Sequence, residues 1–279
     1  VTATPSPEDL GLQPVAEDTL SSIHARRVAH TLDVDDEILA QGTLPLCWLW
    51  TYFAPMVPTS ALRADGHPAA GAGTPLEGLD RRMFVGGDLE RLGPIRLDRV
   101  TERTSAVLDA QEKEGRTGSF LLIEVEHQYR QDGDVVVVEH QQLMYRSAVT
   151  QTVPAPGPPM EPPRSAGAES LMRPDERLLF RYSALTFNSH RIHYDLPYAT
   201  QVEGYPTLVV HGPLTATFLA HLAEEQLGMP LTTFRFRAPA PTFAGTPVTL
   251  VCDELDADRT LPLRAVRADG AVVMTARAR

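Results

Sequence analysis

Lysine is almost missing from this 279-residue sequence, with Lys113 the only one. Any anion site must therefore be built from arginine forks or backbone amides. Positive charge as a whole is short: 25 Lys and Arg face 36 Asp and Glu, for a net charge of −11. That balance argues against non-specific binding of nucleic acid. Cysteine is scarce too. Cys47 and Cys252 stand far apart in no spacing motif, which fits buried thiols in a reducing compartment better than a disulfide framework. No apolar run approaches the roughly 18 residues needed to span a bilayer. The first residues, Val1 to Pro5, lack the basic-then-apolar order of a signal peptide. The expectation is a cytoplasmic protein with no membrane and no nucleic-acid partner.

What is present is organised in two halves. Six prolines fall between Pro154 and Pro163, and a run so poor in amide donors stays extended and reads as a linker. We expect residues 1–150 to form one unit, 151–170 the linker and 171–279 a second unit. The halves end alike, each with Arg-x-Asp-Gly-x-Val-Val, at residues 130–136 and 267–273. Asp-Gly between β-rich runs is a strong hairpin signal, because both residues tolerate positive φ. Residues 44–54 form an apolar helix candidate that should be buried. Residues 213–226 form a second, with Pro213 in its first turn and Gly228 just past its end. Each candidate is followed by β-rich segments, at 83–89, 95–108, 120–129 and 135–145, then at 232–236, 248–255, 261–266 and 272–276. One buried helix wrapped by an antiparallel meander, twice, predicts an α+β double hotdog, the two repeats forming a pseudo-dimer. Two unrelated α+β domains are the runner-up.

The chemistry concentrates in residues 180–212, which hold His190, His193 and His211, three of the nine histidines, with Asn188, Arg191 and Asp195. Residues 180–187 read as a strand, with the polar groups just beyond its end. The run Asn188-Ser189-His190-Arg191-Ile192-His193-Tyr194-Asp195, followed by Val210-His211-Gly212, resembles the signature of the MaoC-like, (R)-specific enoyl-thioester hydratases. That signature reads Asp-x-Asn-Pro-x-His-x-Asp and then His-Gly. His193, Asp195, His211 and Gly212 agree with it, Asn188 stands where the family has its catalytic Asp, and His190 and Arg191 replace Asn-Pro. The wording around Trp50-Thr51-Tyr52-Phe53, Asp65-Gly66-His67-Pro68 and Arg81 to Gly87 resembles the two-domain branch. That branch includes mesaconyl-C4-CoA and itaconyl-CoA hydratases and hydroxyacyl-thioester dehydratases type 2.

The resemblance implies a hydro-lyase that interconverts a 2-enoyl-CoA and a 3-hydroxyacyl-CoA, with a branched C5 dicarboxylyl group among the candidate acyl chains. It implies His193 as general acid/base, Asn188 as the group that orients water, and Asp195 as a tuning group. The Gly212 N–H, at a helix start, would receive the thioester oxygen. Substrate-binding candidates are His190, Arg191, His211, Arg235, Arg237 and Arg82, with Arg81 or Arg82 facing any second carboxylate. No cofactor and no metal are expected, the CoA thioester being substrate.

Bland roles stand beside these. Asp195 suits a helix N-cap. Arg235 and Arg237 alternate with Phe234 and Phe236 as on a half-exposed strand, and the loop holding Asp65 and His67 is by default flexible surface. A hotdog thioesterase and a non-catalytic acyl-CoA binder are the alternative functions, and a further homodimer of double hotdogs is left open.

Overall fold

In the computed structural model, residues 4–69, 74–115, 118–147, 153–161 and 167–279 are described. The elements in chain order are β1 (Val15–Thr19), α1 (Ser22–Leu32), β2 (Arg81–Arg91), β3 (Val100–Gly115), β4 (Gly118–Gln131) and β5 (Asp134–Arg146). They continue with β6 (Ala168–Met172), α2 (Glu176–Leu185), α3 (Gly212–Leu227), β7 (Thr233–Arg237), β8 (Val248–Cys252), β9 (Leu261–Arg267) and β10 (Val272–Ala278). All ten strands join one antiparallel sheet in the order β1-β3-β4-β5-β2-β7-β10-β9-β8-β6. The order is a palindrome: exchange β1–β5 for β6–β10 and it reads the same from the other end. The halves meet at the β2–β7 seam, where Gly86 to Glu90 pair with Arg237 to Thr233. This is the expected double hotdog. Of residues 151–170, numbers 151–152 and 162–166 lie outside the described residues, and β6 begins at Ala168.

Alternation drives the sheet. In β4, every second residue from Leu121 to Gln131 is buried, as a strand with one covered face requires. The Asp132-Gly133 turn has positive φ at both residues, 52° and 92°, while at Asp269-Gly270 only Gly270 does. The shared hairpins thus use related but different turns. Helix α3 starts with Pro213 in its first turn and ends at Gly228 with φ 64°. It buries Leu214, Ala216, Leu219, Ala220, Leu222 and Ala223 and packs on β8, β9 and β10.

The first half departs from this plan. Residues 44–54 form only a 3₁₀ helix at Leu46–Thr51, closed by extended Tyr52 and by Phe53 at φ 56°. Pro45 and Pro55 bracket it, and a proline pushes the residue before it out of helical conformation. Residues 180–187 are no strand. They lie mostly in α2, where the Asp175 carboxylate accepts the Leu178 N–H at 2.9 Å. Buried Leu179, Tyr182 and Ser183 keep helical spacing and Phe180 is exposed. Strand β3 starts at Val100 rather than 95: Arg96 makes only an isolated bridge with Thr43, and the turn that follows puts Asp98 at φ 55°. Cys47 and Cys252 are both buried free thiols.

Candidate active site

The turn after α2 assembles the site. Phe187 sits at φ 50° and reverses the chain, and the Asn188 N–H returns to the Ser183 carbonyl at 2.8 Å. The Asn188 Oδ1 accepts the His190 N–H at 2.9 Å. Its amide NH₂ is therefore the end left for other partners. A single 3₁₀ turn, Arg191–His193, follows. His193 Nδ1 lies 2.7 Å from the Val209 carbonyl. A carbonyl only accepts, so Nδ1 carries the proton and Nε2 keeps its lone pair. The His193 ring stacks on His211 at 3.6 Å and meets His190 edge-on at 5.3 Å. Ser183 Oγ and His211 Nε2 are 2.9 Å apart.

These rings are neutral. Burial lowers the pKa of His193 to about 4, against the opposing pull of the Val209 carbonyl. Burial also drives His190 and His211 well below the usual histidine range, reinforced by neighbouring histidines. A stack of two imidazoles at 3.6 Å has no place for two positive charges.

The first half reaches into this cluster. His67 lies 4.0 Å from the His190 ring, and its Nδ1 lies 3.4 Å from Asp65 Oδ2. The contact is locked by backbone: Ser189 Oγ donates to the Gly66 carbonyl at 2.6 Å, and the Arg191 N–H donates to the Asp65 carbonyl at 2.9 Å. Gly66 has φ 92°, and a Cβ there would stand 1.8 Å from the Ser189 carbonyl oxygen, so only glycine fits. Loop 63–68 is thus a docked wall of the site rather than free surface. Asp65, His67 and His190 bring three potential metal-donor atoms within 4.8 Å of one another. The Asp65 oxygens are already engaged, Oδ2 by Arg63 at 2.6 Å and Oδ1 by the His67 N–H at 2.9 Å.

A cavity of about 920 Å³ opens onto the cluster. Asn188, His190, His193, His211, Gly212, Arg82 and Arg237 line it, with Trp50, Phe53, Tyr129 and His127 from the first half. Gly212 is the first residue of α3, whose N-cap residue His211 offers no side-chain bond. A Cβ on Gly212 would find its nearest atom, the Phe84 carbonyl oxygen, at an ordinary 3.7 Å. Its neighbours therefore do not require a glycine.

Four of the expected residues stand apart from the lining. Asp195 accepts Arg191 Nη2 at 2.7 Å and the Tyr198 N–H at 3.1 Å; with both oxygens so engaged it acts as a cap and clamp. Arg191 is that clamp's other arm and stacks over Tyr198 at 4.1 Å. Arg235 is exposed, 3.4 Å from Asp88. Arg81 is committed to Glu203, Nε to Oε2 at 2.9 Å. Reading the sequence missed the approach of Asp65 and His67 to His190. Nothing local signals a contact between residues more than 100 positions apart.

The family model of hydroxyacyl-thioester dehydratase type 2 matches residues 47–244. Mesaconyl-C(4)-CoA hydratase of Chloroflexus aurantiacus is 39% identical over 268 residues, covering 96% of this chain and 95% of that protein. The mitochondrial hydroxyacyl-thioester dehydratase type 2 of Schizosaccharomyces pombe is 38% identical over 84 residues, 29% of this chain and 28% of its own length. The crystal structure of HtdX from Mycobacterium tuberculosis superposes with a TM-score of 0.69 at 16% identity, covering 96% of this chain and 99% of that one.

Proposed function

Because the chain belongs to the hydroxyacyl-thioester dehydratase type 2 family, we propose that the cavity is where it reversibly hydrates a 2-enoyl-CoA to a 3-hydroxyacyl-CoA. The chain is a hydratase/dehydratase. The observation that carries the site assignment is His193, its neutral form favoured by burial, with Nδ1 on the Val209 carbonyl and Nε2 without a partner among the described residues, on the wall of the cavity that Asn188 also lines.

In hydration, a water held by the Asn188 amide attacks C3 while His193 Nε2 takes its proton. Electrons move through C2 to the thioester oxygen, which becomes an enolate. The Gly212 N–H, without a partner among the described residues at the start of α3, stabilises that oxygen with the positive end of the helix. His193, now cationic in a site that favours its neutral form, returns the proton to C2 and is restored. Dehydration is the same path reversed. The residues that do this need no metal and no cofactor in this reading. The acyl group we favour is the branched C5 dicarboxylyl type, by likeness to the Chloroflexus aurantiacus hydratase. The CoA phosphates would meet Arg237, exposed at the cavity rim.

The test is to incubate the protein with mesaconyl-C4-CoA, itaconyl-CoA and crotonyl-CoA and weigh the products. We expect a gain of one water on at least one of them, reduced by ~10³-fold or more in His193→Gln. Release of free CoA thiol without hydration would instead identify a thioesterase.

A further inference from the structure

A water in mid-attack has two lone pairs and two hydrogens to place. One lone pair forms the bond to C3, the other accepts from the Asn188 amide, and one hydrogen goes to His193 Nε2. The second hydrogen needs an acceptor, which then fixes the angle of attack. Among the described residues, no Asp or Glu lines the cavity, so no side-chain carboxylate serves. Five histidines line it: His67, His127, His190, His193 and His211. A neutral imidazole accepts through one nitrogen, and which one depends on what holds the other.

His193 is already the base, and three more rings are spent or unfixed. His127 lies with Nδ1 2.8 Å from Ser105 Oγ and also bonds the Gln141 side chain. His211 turns Nε2 to Ser183, and its Nδ1 is buried away from any water in the cavity. The His190 ring meets only the rings of His67 and His193 among the described residues, so nothing selects its tautomer. His67 differs. Among the described residues it is the one lining ring with a carboxylate in contact, Asp65 Oδ2 at 3.4 Å from Nδ1. A carboxylate only accepts, so Nδ1 carries the proton and Nε2 keeps its lone pair. That contact is long at rest, and such bonds tighten when a ligand closes the site. Asp65 is braced by Arg63 at 2.6 Å and by the His67 N–H at 2.9 Å. The loop is seated by Gly66 on Ser189, one residue from Asn188. A metal ion would be the other use of Asp65, His67 and His190. Arg63 on the carboxylate and the charge of Arg82 acting on both rings oppose a cation there.

We propose that His67 Nε2 is the remaining partner of the reacting water: it accepts the hydrogen that His193 does not take and so aims the attacking lone pair at C3. Asp65 is the positioning residue that fixes the His67 tautomer. The inference rests on the hydratase reading. In hydration the proton on His193 goes to C2, while the hydrogen held by His67 stays on oxygen and becomes the hydroxyl hydrogen of the product. In dehydration the same nitrogen accepts from the C3 hydroxyl as the C–O bond breaks, and His193 gives that oxygen the proton it took from C2. No covalent bond to His67 forms or breaks. The second half of the chain supplies the base and the first half the aim, so the site is shared between the halves.

The experiment measures kcat, KM and Tm for His67→Ala, His67→Gln and Asp65→Asn with whichever of crotonyl-CoA, mesaconyl-C4-CoA and itaconyl-CoA the wild type hydrates. We expect kcat to fall ~100-fold or more in His67→Ala and Asp65→Asn, with KM within ~3-fold of the wild type. Asp65→Asn loses rate because an amide can donate to Nδ1 and select the wrong tautomer. His67→Gln, whose amide oxygen can accept, should recover at least ~10-fold over His67→Ala. Free imidazole should restore part of the rate of His67→Ala. A merely structural role predicts a lower Tm in all three variants, no rescue by imidazole and no advantage of Gln over Ala, and that pattern rejects the inference. So does a folded His67→Ala with kcat within ~3-fold of the wild type. If His67→Ala does not fold, Asp65→Asn decides, and full kcat there rejects the inference. A wild type that hydrates none of the three compounds rejects the hydratase reading, and the inference falls with it.

Discussion

At the scale of single residues, His193 departs most from its ordinary chemistry. An exposed imidazole titrates near 6.5, whereas burial holds this one at about 4. In the proposed hydration, the base form is the one that takes a proton from water. A lowered pKa keeps it present as pH falls through the usual histidine range. We therefore expect kcat/KM to stay level through pH ~6.5 and to fall only near pH 4 or where the fold itself is lost. A pH–rate profile, with circular dichroism recorded at each point, measures this. An acid limb near 6.5 in folded protein would remove His193 from the role of buried base. The conjugate acid of so weak a base is strong, which suits delivery of a proton to carbon. Asn188 fits the same logic, since its amide cannot compete for that proton.

At the scale of elements, the proposed site depends on the start of α3. Gly66 and Gly212 are both glycines of the site but for opposite reasons. Gly66 is needed by the fold, because a side chain would strike the Ser189 carbonyl; Gly212 has room. Gly212→Ala should therefore fold normally, with Tm within about 3 °C of the wild type, yet lose ~100-fold in kcat/KM by intruding where the thioester oxygen is stabilised. Differential scanning fluorimetry beside a hydration assay separates the two. A variant with unimpaired rate would show that Gly212 is only a helix start. Helix α3 itself was legible in the sequence, through Pro213 and Gly228. Helix α2 was not. Its Asp175 cap and the pattern Leu179, Tyr182, Ser183 were outweighed by the strand-like aromatic run of residues 180–187. In a short segment, which face is buried depends on neighbours that are distant in sequence.

At the scale of the whole molecule, the halves are joined by more than the β2–β7 seam. Arg81 of β2, 9% exposed, pairs with Glu203, which follows the π-helical turn Tyr198–Val202. Breaking such a pair leaves an uncompensated charge in a poorly solvated place. Arg81→Met should lower the unfolding free energy by about 3 kcal/mol, and adding Glu203→Leu should restore at least half of it. Urea denaturation of the single and double variants reads this. A double variant no more stable than the single would mean that the pair contributes packing rather than charge balance. The same union of halves brings loop 63–68 against the Ser189–Arg191 backbone, so damage at Arg81 should also loosen the site's first-half wall.

The sequence by itself determined the features that are local or periodic. These are the two-repeat meander, the Asp-Gly hairpins, the placement of α3 and the run from Asn188 to Gly212 that carries the family resemblance. Each is written in adjacent residues or at a fixed spacing, so chain order is enough to read it. Only the tertiary structure decided which of those residues work together. It turned Asp195 and Arg191 into a clamp, tied Arg81 to Glu203, and brought Asp65 and His67 to His190. Apart from the Asp195–Arg191 pair, four residues apart, these outcomes depend on contacts across more than 100 residues. Desolvation and charge pairing act through space, and a linear sequence carries no direct record of that distance.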